Sequence, residues 1–338
     1  MAIDRLLIAG FGSIGARHLR LARSLLPHAQ ILVMRHRGDQ QVPVGADGCV
    51  NTLEQALAFR PEAAVIAGPS TMHAALALPL AKAGAHLLIE KPIDASSEQI
   101  PQLLNACDEN RCLLLVGYNL RFLPSLRAFR DAVHRGQAGR ILSVRAEVGQ
   151  YLPSWRPAID YRDSVSASRK LGGGVLLELS HEIDYLRWIF GELVWVKAAA
   201  ARQSALEIDV EDCAHLVFGF RPDDAHHQLM VRLDLDFIRH DTSRSCVAIG
   251  DAGSLRWNGL TGVVDFFAAS DSTWQTIASL PNNGDESYLA QWRHFLACIA
   301  GEEAPLTSGI DGLRALQAVE AARQSASQVG VALIKDLA

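Results

Sequence analysis

A glycine-rich turn near the N-terminus constrains the fold of this chain more than any other sequence feature. An apolar run, residues 6–9, leads into Gly10, Gly12 and Gly15 in the spacing G-x-G-x-x-G, and a helix-forming segment follows at once. In this context Gly10 permits a tight turn, Gly12 lets backbone amides approach a pyrophosphate, and Gly15 lets strand and helix pack closely. The pattern predicts a dinucleotide-binding site, and a glycine-rich turn without ligand is the alternative.

The start of the predicted helix completes that site. Ser13 and Ile14 lie at its N-terminus, where backbone N–H groups and the helix dipole favour negative charge. We therefore expect both residues beside the phosphates.

The first 120 residues alternate short apolar runs with segments of helical period, the pattern of a parallel sheet covered by helices. Strands are predicted over 5–9, 31–34, 63–67, 86–90 and 113–117, and helices over 15–26, 53–58, 72–83 and 97–109. The strands end at Gly10, Arg35, Gly68, Lys91 and Tyr118. Ligands bind at the carboxyl ends of such strands, so these residues are expected to line one crevice.

The remainder of the chain has longer strand-like runs joined by turns. Strands are predicted over 140–150, 194–202, 214–220, 228–237, 244–249, 253–257 and 263–268, and helices over 174–190, 286–300 and 309–329. A single core rarely exceeds about 300 residues, and this chain has 338. We predict an α/β protein with a Rossmann domain over 1–120 and an α+β domain over 121–338, built on an open, mostly antiparallel sheet for substrate binding and oligomerisation.

Composition excludes several classes of function. A net charge of -5 offers no basic field for nucleic acid, and no apolar run approaches the length of a membrane span. The six cysteines are scattered without zinc spacing, which indicates buried free thiols and no metal. No secretion signal precedes the first strand, so we expect a protein of the reducing cytoplasm.

Two arginines follow the second predicted strand. The residue expected there to bind the ribose of NAD is acidic, but this chain has Arg35 and Arg37. Guanidinium groups pair with phosphate, so we predict a preference for NADP(H) over NAD(H). Alternatively, both arginines belong to a solvated loop.

The sequence Glu90-Lys91-Pro92 places a lysine just beyond a buried strand. Lys91 there can exchange a proton with, or hydrogen-bond, the oxygen on the substrate carbon that gains or loses hydrogen. As an isolated string this motif is weakly specific.

The order of motifs along the whole chain resembles the glucose–fructose oxidoreductase and inositol dehydrogenase family (Gfo/Idh/MocA). The motifs begin with the glycine-rich turn Gly10–Gly15. They continue with residues 68–73, Glu90-Lys91-Pro92 and 117–122, and end with the glycines 172–174, which precede a His-x-x-Asp helix. The resemblance implies NAD- or NADP-dependent oxidation or reduction of a sugar, sugar nucleotide or cyclitol. It also implies a homodimer or homotetramer formed through the open sheet face.

The resemblance also assigns roles to individual residues. Lys91 matches the active-site lysine, whose bond to Pro92 is often cis. The cofactor set implied in addition to the glycine-rich turn comprises Gly68, Pro69, Thr71, His73, Glu90, Lys91 and Asn119. The segment beside the substrate contributes Tyr118 and Arg121.

The second catalytic motif departs from the family pattern of Asp, three residues, then His. Here Glu178 precedes His181 by three positions. On a single helix, Glu178, His181, Glu182 and Tyr185 share one face, opposite an apolar stripe. If that face meets the substrate, His181 shuttles a proton and Glu178 orients or polarises the hydroxyl. A plain amphipathic helix with a solvated face is the alternative.

Trp155 and Arg156 suggest a place for the substrate. The surrounding stretch 151–162 resembles a subgroup associated with bacterial surface sugars, and an aromatic ring with a guanidinium suits a sugar that carries a phosphate or carboxylate. A surface loop without ligand is the alternative. For the whole protein, a net non-redox elimination or glycoside cleavage with a recycled cofactor, and a non-catalytic cofactor-binding regulator, remain alternatives to the dehydrogenase.

Overall fold

A computed structural model describes residues 3–35, 41–157, 159–222 and 228–334. The chain forms two compact units. One runs to Asn119 and adds Tyr288–Leu316, and the other covers Leu120–Ser287 and resumes at Gln317. The predicted division at residue 120 assigned residues 288–316 to the second domain, whereas the structure groups them with the first unit.

The described part of the first unit contains a six-stranded parallel sheet with the order β3-β2-β1-β4-β5-β6, the strand order of a Rossmann fold. Its strands are β1 (Arg5–Ala9), β2 (Gln30–Met34), β3 (Gly48–Val50), β4 (Ala63–Ile66), β5 (His86–Ile89) and β6 (Leu114–Val116). The helices that follow them are α1 (Ser13–Leu25), α2 (Leu53–Ala58), α3 (His73–Lys82) and α4 (Ile100–Glu109). Strands β4 and β6 are buried throughout, as parallel strands covered on both faces must be.

Residues from far along the chain complete this first core. Trp292 and Phe295 are fully buried and pack with Leu6, Ile8 and Leu88. Farther along the same segment, the backbone oxygen of Thr307 accepts a hydrogen bond from Val116 N–H at 2.8 Å. The segment around Thr307 therefore runs along the edge strand β6 of this sheet.

In the second unit, the described residues form a mixed sheet of nine strands in the order β14-β13-β12-β11-β7-β10-β9-β8-β15. The strands are β7 (Ile141–Gly149), β8 (Leu193–Ala201), β9 (Cys213–Phe220), β10 (Met230–Asp236), β11 (Ser243–Gly250), β12 (Gly253–Asn258), β13 (Val263–Ala268), β14 (Gln275–Ser279) and β15 (Val331–Leu333). The α-helices of the rest of the described chain are α5 (Pro124–His134), α6 (Val175–Glu178), α7 (His181–Phe190), α8 (Glu286–Ile299) and α9 (Gly309–Gln328). All pairs are antiparallel except β7 with β10, so the predicted fold class is confirmed.

The sheet of the second unit has one buried and one open face. On β9, Leu216 and Phe218 are buried under the helices while His215 and Val217 are exposed. This alternation is typical of an antiparallel sheet with one covered face. The open face is the surface that the family resemblance assigned to oligomers.

Several elements differ from the prediction. The single helix expected over 174–190 is wrong, because the structure breaks it between Glu178 and His181 into α6 and α7. The short strands β3, β14 and β15 and the helix α5 were not predicted. Short edge strands carry little periodicity and depend on pairing with a neighbour, for example Val331 of β15 with Lys197 of β8.

Candidate active site

The glycine-rich turn has the geometry that its sequence predicts. Gly10 has φ +100°, and a Cβ there would lie 2.5 Å from the backbone N of Gly68. A Cβ at Gly15 would lie 2.1 Å from the oxygen of Gly10. At Gly12, by contrast, a Cβ would meet no described atom within 4 Å. Gly10 and Gly15 are thus required for packing, and Gly12 borders open space.

The N-terminus of α1 fits a pyrophosphate. Helix α1 begins at Ser13, and its N-cap is Gly12, which has no side chain with which to cap the first N–H groups. Helix N-termini of this kind bind anions through backbone N–H groups and the helix dipole. The chain's own residues therefore fit the phosphates of a dinucleotide, with Ser13 and Ile14 in the first turn.

Arg35 lies at the carboxyl end of β2, beside the glycine-rich turn. Its guanidinium carbon is 5.3 Å from the centre of the Phe11 ring, and its Nη1 donates to the oxygen of Gln41 at 3.2 Å. Arg37, the second predicted arginine, lies outside the described residues.

The loop after β4 is tied down by His73. The loop begins at Gly68 and Pro69, continues through exposed Thr71, and ends where His73 starts α3. His73 is buried, with Nε2 2.9 Å from the oxygen of Gly68 and Nδ1 2.9 Å from the oxygen of Pro92. Both ring nitrogens face the chain's own carbonyl groups, so His73 links this loop to the segment after β5.

Lys91 is the second residue after β5 and is partly exposed, and its bond to Pro92 is cis, as the resemblance implied. The neighbouring Glu90 is buried, with 6% of its surface exposed. Its Oε1 is 2.8 Å from Nε2 of His18, and its Oε2 accepts the Lys91 N–H at 3.1 Å. Burial raises the pKa of Glu90, but the His18 hydrogen bond and the positive charge of Lys91 act in the opposite direction, and the net pKa is lowered. Both oxygens of Glu90 thus bind the protein itself.

Asp94 also supports this segment, although the sequence analysis did not select it. Its Oδ2 accepts the backbone N–H of Ala74 at 2.7 Å, and its Oδ1 accepts those of Ala95 and Ser96 at 2.7 and 3.1 Å. The position of an aspartate two residues after a proline is compatible with a turn, and that is the available sequence signal. Asp94 joins the Lys91 loop to the start of α3.

The segment after β6 is more deeply buried than the prediction required. Tyr118 is fully buried, and Asn119 donates its backbone N–H to the oxygen of Gly117 at 2.9 Å. In the second unit, Arg121 is buried and forms a bidentate pair with Asp184. A direct role of Tyr118 or Arg121 in substrate binding therefore remains a prediction.

Glu178 and His181 flank the break between α6 and α7. In the fully described stretch from Gly172 to Arg187, every residue is buried except these two, which are partly exposed. Ser166 Oγ donates to Glu178 Oε2 at 2.9 Å and fixes the carboxylate. The break, rather than a continuous helical face, brings the two predicted catalytic residues to the surface of their unit.

The other two residues of the predicted polar face are inside the protein. Glu182 is fully buried and pairs with Arg244 Nε at 2.8 Å, and Tyr185 is fully buried edge-on to Trp257. Burial raises the pKa of Tyr185 well above its ordinary value. The expectation that Glu182 and Tyr185 share an exposed face with His181 is wrong, because every residue of α7 from Glu182 through Arg187 is buried and Arg244 compensates the charge of Glu182.

Trp155 and Arg156 lie together on the second unit. The half-buried Trp155 donates Nε1–H to the oxygen of Gln150 at 3.2 Å and packs edge-on against Phe237, whereas Arg156 is exposed. Both line a small cavity whose wall also includes Ser166, the residue that holds Glu178. Trp155 and Arg156 are therefore near the Glu178 carboxylate through a shared neighbour.

The prediction for the cysteines holds only in part. All six cysteines are free, and Cys49 and Cys298 are partly exposed, so the prediction of buried thiols is wrong for these two. The part of the chain that the structure describes contains no group of three or more His, Cys, Asp or Glu side chains arranged to hold a metal ion. It also contains no helix long and apolar enough to cross a membrane.

Comparisons with known proteins agree with this architecture. Inositol 2-dehydrogenase of Rhizobium meliloti (strain 1021) is 34% identical over 163 residues, which are 46% of this chain and 46% of that protein, so the match spans less than half of either. Myo-inositol dehydrogenase Hyg17 of Streptomyces leeuwenhoekii is 26% identical over 96% of this chain and 98% of its own length. The structure of the WlbA dehydrogenase from Bordetella pertussis, in complex with NADH and UDP-GlcNAcA, has the same fold, with a TM-score of 0.81, 22% identity, and coverage of 99% of this chain and 100% of its own.

Two family models cover most of the chain. An oxidoreductase-family model for an NAD-binding Rossmann fold matches residues 5–118, and the model for that family's C-terminal alpha/beta domain matches residues 130–333. These matches confirm the family that the motif order indicated. The chain therefore belongs to the Gfo/Idh/MocA family of oxidoreductases.

Proposed function

We propose that this protein is a dehydrogenase or reductase that uses NADP(H) and acts on a CH–OH group of a sugar, sugar nucleotide or cyclitol, or on the corresponding ketone. The observation that carries the proposal is the fixation of Lys91. The segment Glu90-Lys91-Pro92 is held by His18 through Glu90 and by His73 through Pro92, at the carboxyl end of a strand of the dinucleotide-binding sheet. These contacts fix the residues on both sides of Lys91.

The cofactor proposal combines the open turn with Arg35. The backbone at Gly12, Ser13 and Ile14 would hold the pyrophosphate, and Arg35, with Arg37 as a second candidate, would pair with the additional phosphate of NADP(H). The solved WlbA structure holds NADH, so the preference for NADP(H) is the part of the proposal specific to Arg35. When bound, the nicotinamide supplies or accepts the hydride.

The proposed catalytic residues move the proton. Lys91 and His181 act on the oxygen of the reacting carbon, because an ammonium group can donate a proton or a hydrogen bond to it and an imidazole can donate or accept a proton near neutral pH. Glu178, fixed by Ser166, orients or polarises the hydroxyl. Trp155 and Arg156 contact the rest of the substrate, as a ring and a cation suit a sugar with an acidic substituent.

The relatives suggest the chemical class of substrate. Named relatives are dehydrogenases of inositol and levoglucosan, and the solved WlbA complex holds UDP-GlcNAcA. For this chain we propose the same broad class, a homodimer or homotetramer formed through the open sheet face, and a reducing compartment. The free cysteines are compatible with that compartment.

The test is a turnover screen of sugars, sugar nucleotides and cyclitols with both cofactors. Turnover is measured by the absorbance of the reduced nicotinamide. Lys91→Met should lower kcat at least about 100-fold, the scale of general acid–base catalysis, with cofactor affinity retained. Lys82→Met, at an exposed lysine of the same unit, is the matched control. Near wild-type turnover in Lys91→Met would reject the role of Lys91. Product formation without steady-state absorbance change would indicate net non-redox chemistry instead.

A further inference from the structure

Three buried side chains from distant parts of the first unit form a hydrogen-bonded chain that ends at Lys91. Trp292 Nε1 donates to His18 Nδ1 at 3.0 Å, and His18 Nε2 is 2.8 Å from Glu90 Oε1. Glu90 Oε2 accepts the backbone N–H of Lys91 at 3.1 Å. Trp292 and His18 are 274 positions apart in sequence and both fully buried. The contacts therefore arise from tertiary structure alone.

The chemistry of the donors fixes the protonation state of His18. An indole N–H only donates, so His18 Nδ1 must carry a lone pair. The imidazole is therefore neutral, its proton is on Nε2, and that N–H donates to the Glu90 carboxylate. A neutral donor satisfies Glu90 without placing a second positive charge beside the Lys91 segment.

Close packing restricts movement of the His18 and Glu90 side chains. The rings of Trp292 and Tyr288 contact the His18 ring edge-on, at centroid distances of 5.9 and 6.0 Å. Gly117 also lies close to Glu90, since a Cβ at Gly117 would be 3.0 Å from both the Cα and Oε2 of Glu90. Glu90 thus has little room to adopt another rotamer while these neighbours remain in place.

We propose that Trp292 and His18 are positioning residues for Lys91: Trp292 selects the Nε2–H tautomer of His18, which orients Glu90, which in turn fixes the Lys91 backbone. This inference rests on the proposed function of Lys91. Neither Trp292 nor His18 is assigned a contact with substrate. The specific consequence is that the N–H group of Trp292, and not only its aromatic volume, matters for turnover.

The tautomer can be tested without turnover. In ¹⁵N-labelled full-length protein, the His18 signals, identified by their absence in His18→Gln, should show neutral imidazole with the proton on Nε2 at neutral pH. Trp292→Phe should alter those signals. Trp257→Phe is the matched control, since Trp257 is also fully buried and donates to Ser125 Oγ at 3.0 Å, and it should leave them unchanged. A doubly protonated or Nδ1–H His18 would overturn the proposal.

Turnover tests the consequence for Lys91. Trp292→Phe should lower kcat about 10-fold to 100-fold, as for partners that orient a functional side chain, with cofactor Kd unchanged. His18→Phe should lower kcat by at least the same factor. His18→Gln should recover most of the kcat, because an amide oxygen can accept from Trp292 and an amide N–H can donate to Glu90. Wild-type kcat in Trp292→Phe would overturn the proposal. If the unmodified protein turned over no candidate substrate, the proposed function would fail. The tautomer measurement would still test whether Trp292 sets the protonated nitrogen of His18.

Discussion

Arg121 and Asp184 form a buried bidentate ion pair in the second unit. Arg121 Nε is 2.9 Å from Asp184 Oδ2 and Nη2 is 2.6 Å from Oδ1, with side-chain exposures of 4% and 1%. Asp184 is on α7, three residues after His181. The pair therefore connects the start of the second unit to the helix that begins with the proposed proton-transfer residue.

Breaking this pair on one side should destabilise the protein strongly. Asp184→Asn leaves a buried guanidinium without its counterion, and we expect a loss of about 3–5 kcal/mol in the free energy of unfolding. Denaturant unfolding measures it. Asp160→Asn, which breaks the exposed pair with Arg162, is the control and should change stability far less. Equal effects of both substitutions would contradict the assignment.

The two glycines of the turn should fail in different ways. Gly15→Ala forces a Cβ to within 2.1 Å of the Gly10 oxygen, so it should lower the melting temperature. Gly12→Ala meets no described atom within 4 Å and should fold normally, but should weaken cofactor binding by narrowing the approach to the backbone. Thermal unfolding and fluorescence titration with NADPH separate the two. Unchanged affinity in Gly12→Ala would argue against a cofactor at this turn.

Arg35 should determine cofactor choice. Arg35→Asp removes a charge-assisted contact of about 1.5–3 kcal/mol and adds a repulsive carboxylate, so the Kd for NADPH should rise about 10-fold to 100-fold or more. The Kd for NADH should stay constant or fall, because a carboxylate can bind the ribose hydroxyls. Arg20→Asp, at an exposed position on α1, controls for the change in net charge. Tighter binding of NADH than NADPH by the unmodified protein would contradict the prediction.

Glu90 should make stability depend on acid pH. Its pKa is lowered in the folded state from the ordinary 4.5, so the unfolded state binds the proton more readily. The contribution of Glu90 to stability is then complete above about pH 4.5 and is lost as the pH falls through the folded-state pKa. The melting temperature of the unmodified protein should therefore fall more steeply between pH 5 and 3, roughly the range of glutamate titration, than that of Glu90→Gln. Glu98→Gln, at an exposed glutamate, should retain the wild-type slope.

Local sequence was sufficient for much of the Rossmann unit. The predicted strand 5–9 and helix 53–58 coincide with β1 and α2. The predicted need for glycine at positions 10 and 15 is also met, because a Cβ at either position would clash with neighbouring backbone atoms. Hydrophobic period, turn glycines and a Pro-fixed segment act over a few residues, so they can be recognised from neighbouring positions. The family was likewise predictable, because it depends on the order of such motifs.

The break at Leu179 and Ser180 was not predictable from period alone. The pattern from Leu176 to Phe190 is compatible with one helix, and it assigned Glu182 to an exposed face. Tertiary contacts overrode that periodicity, since Arg244 on a distant strand supplies the charge that allows Glu182 to be buried. Without that partner, burial of a glutamate would be too costly.

The sequence by itself determined the kind of protein: a dinucleotide-binding turn, a lysine at the end of a strand, and a family whose motifs span the chain. Tertiary structure alone decided what holds those residues in place. The partners of Glu90 and Arg121 are His18 and Asp184, 72 and 63 positions away, and Trp292 acts on His18 from the far end of the chain. Hydrogen bonds between such distant side chains depend on the three-dimensional course of the backbone, which no local pattern encodes.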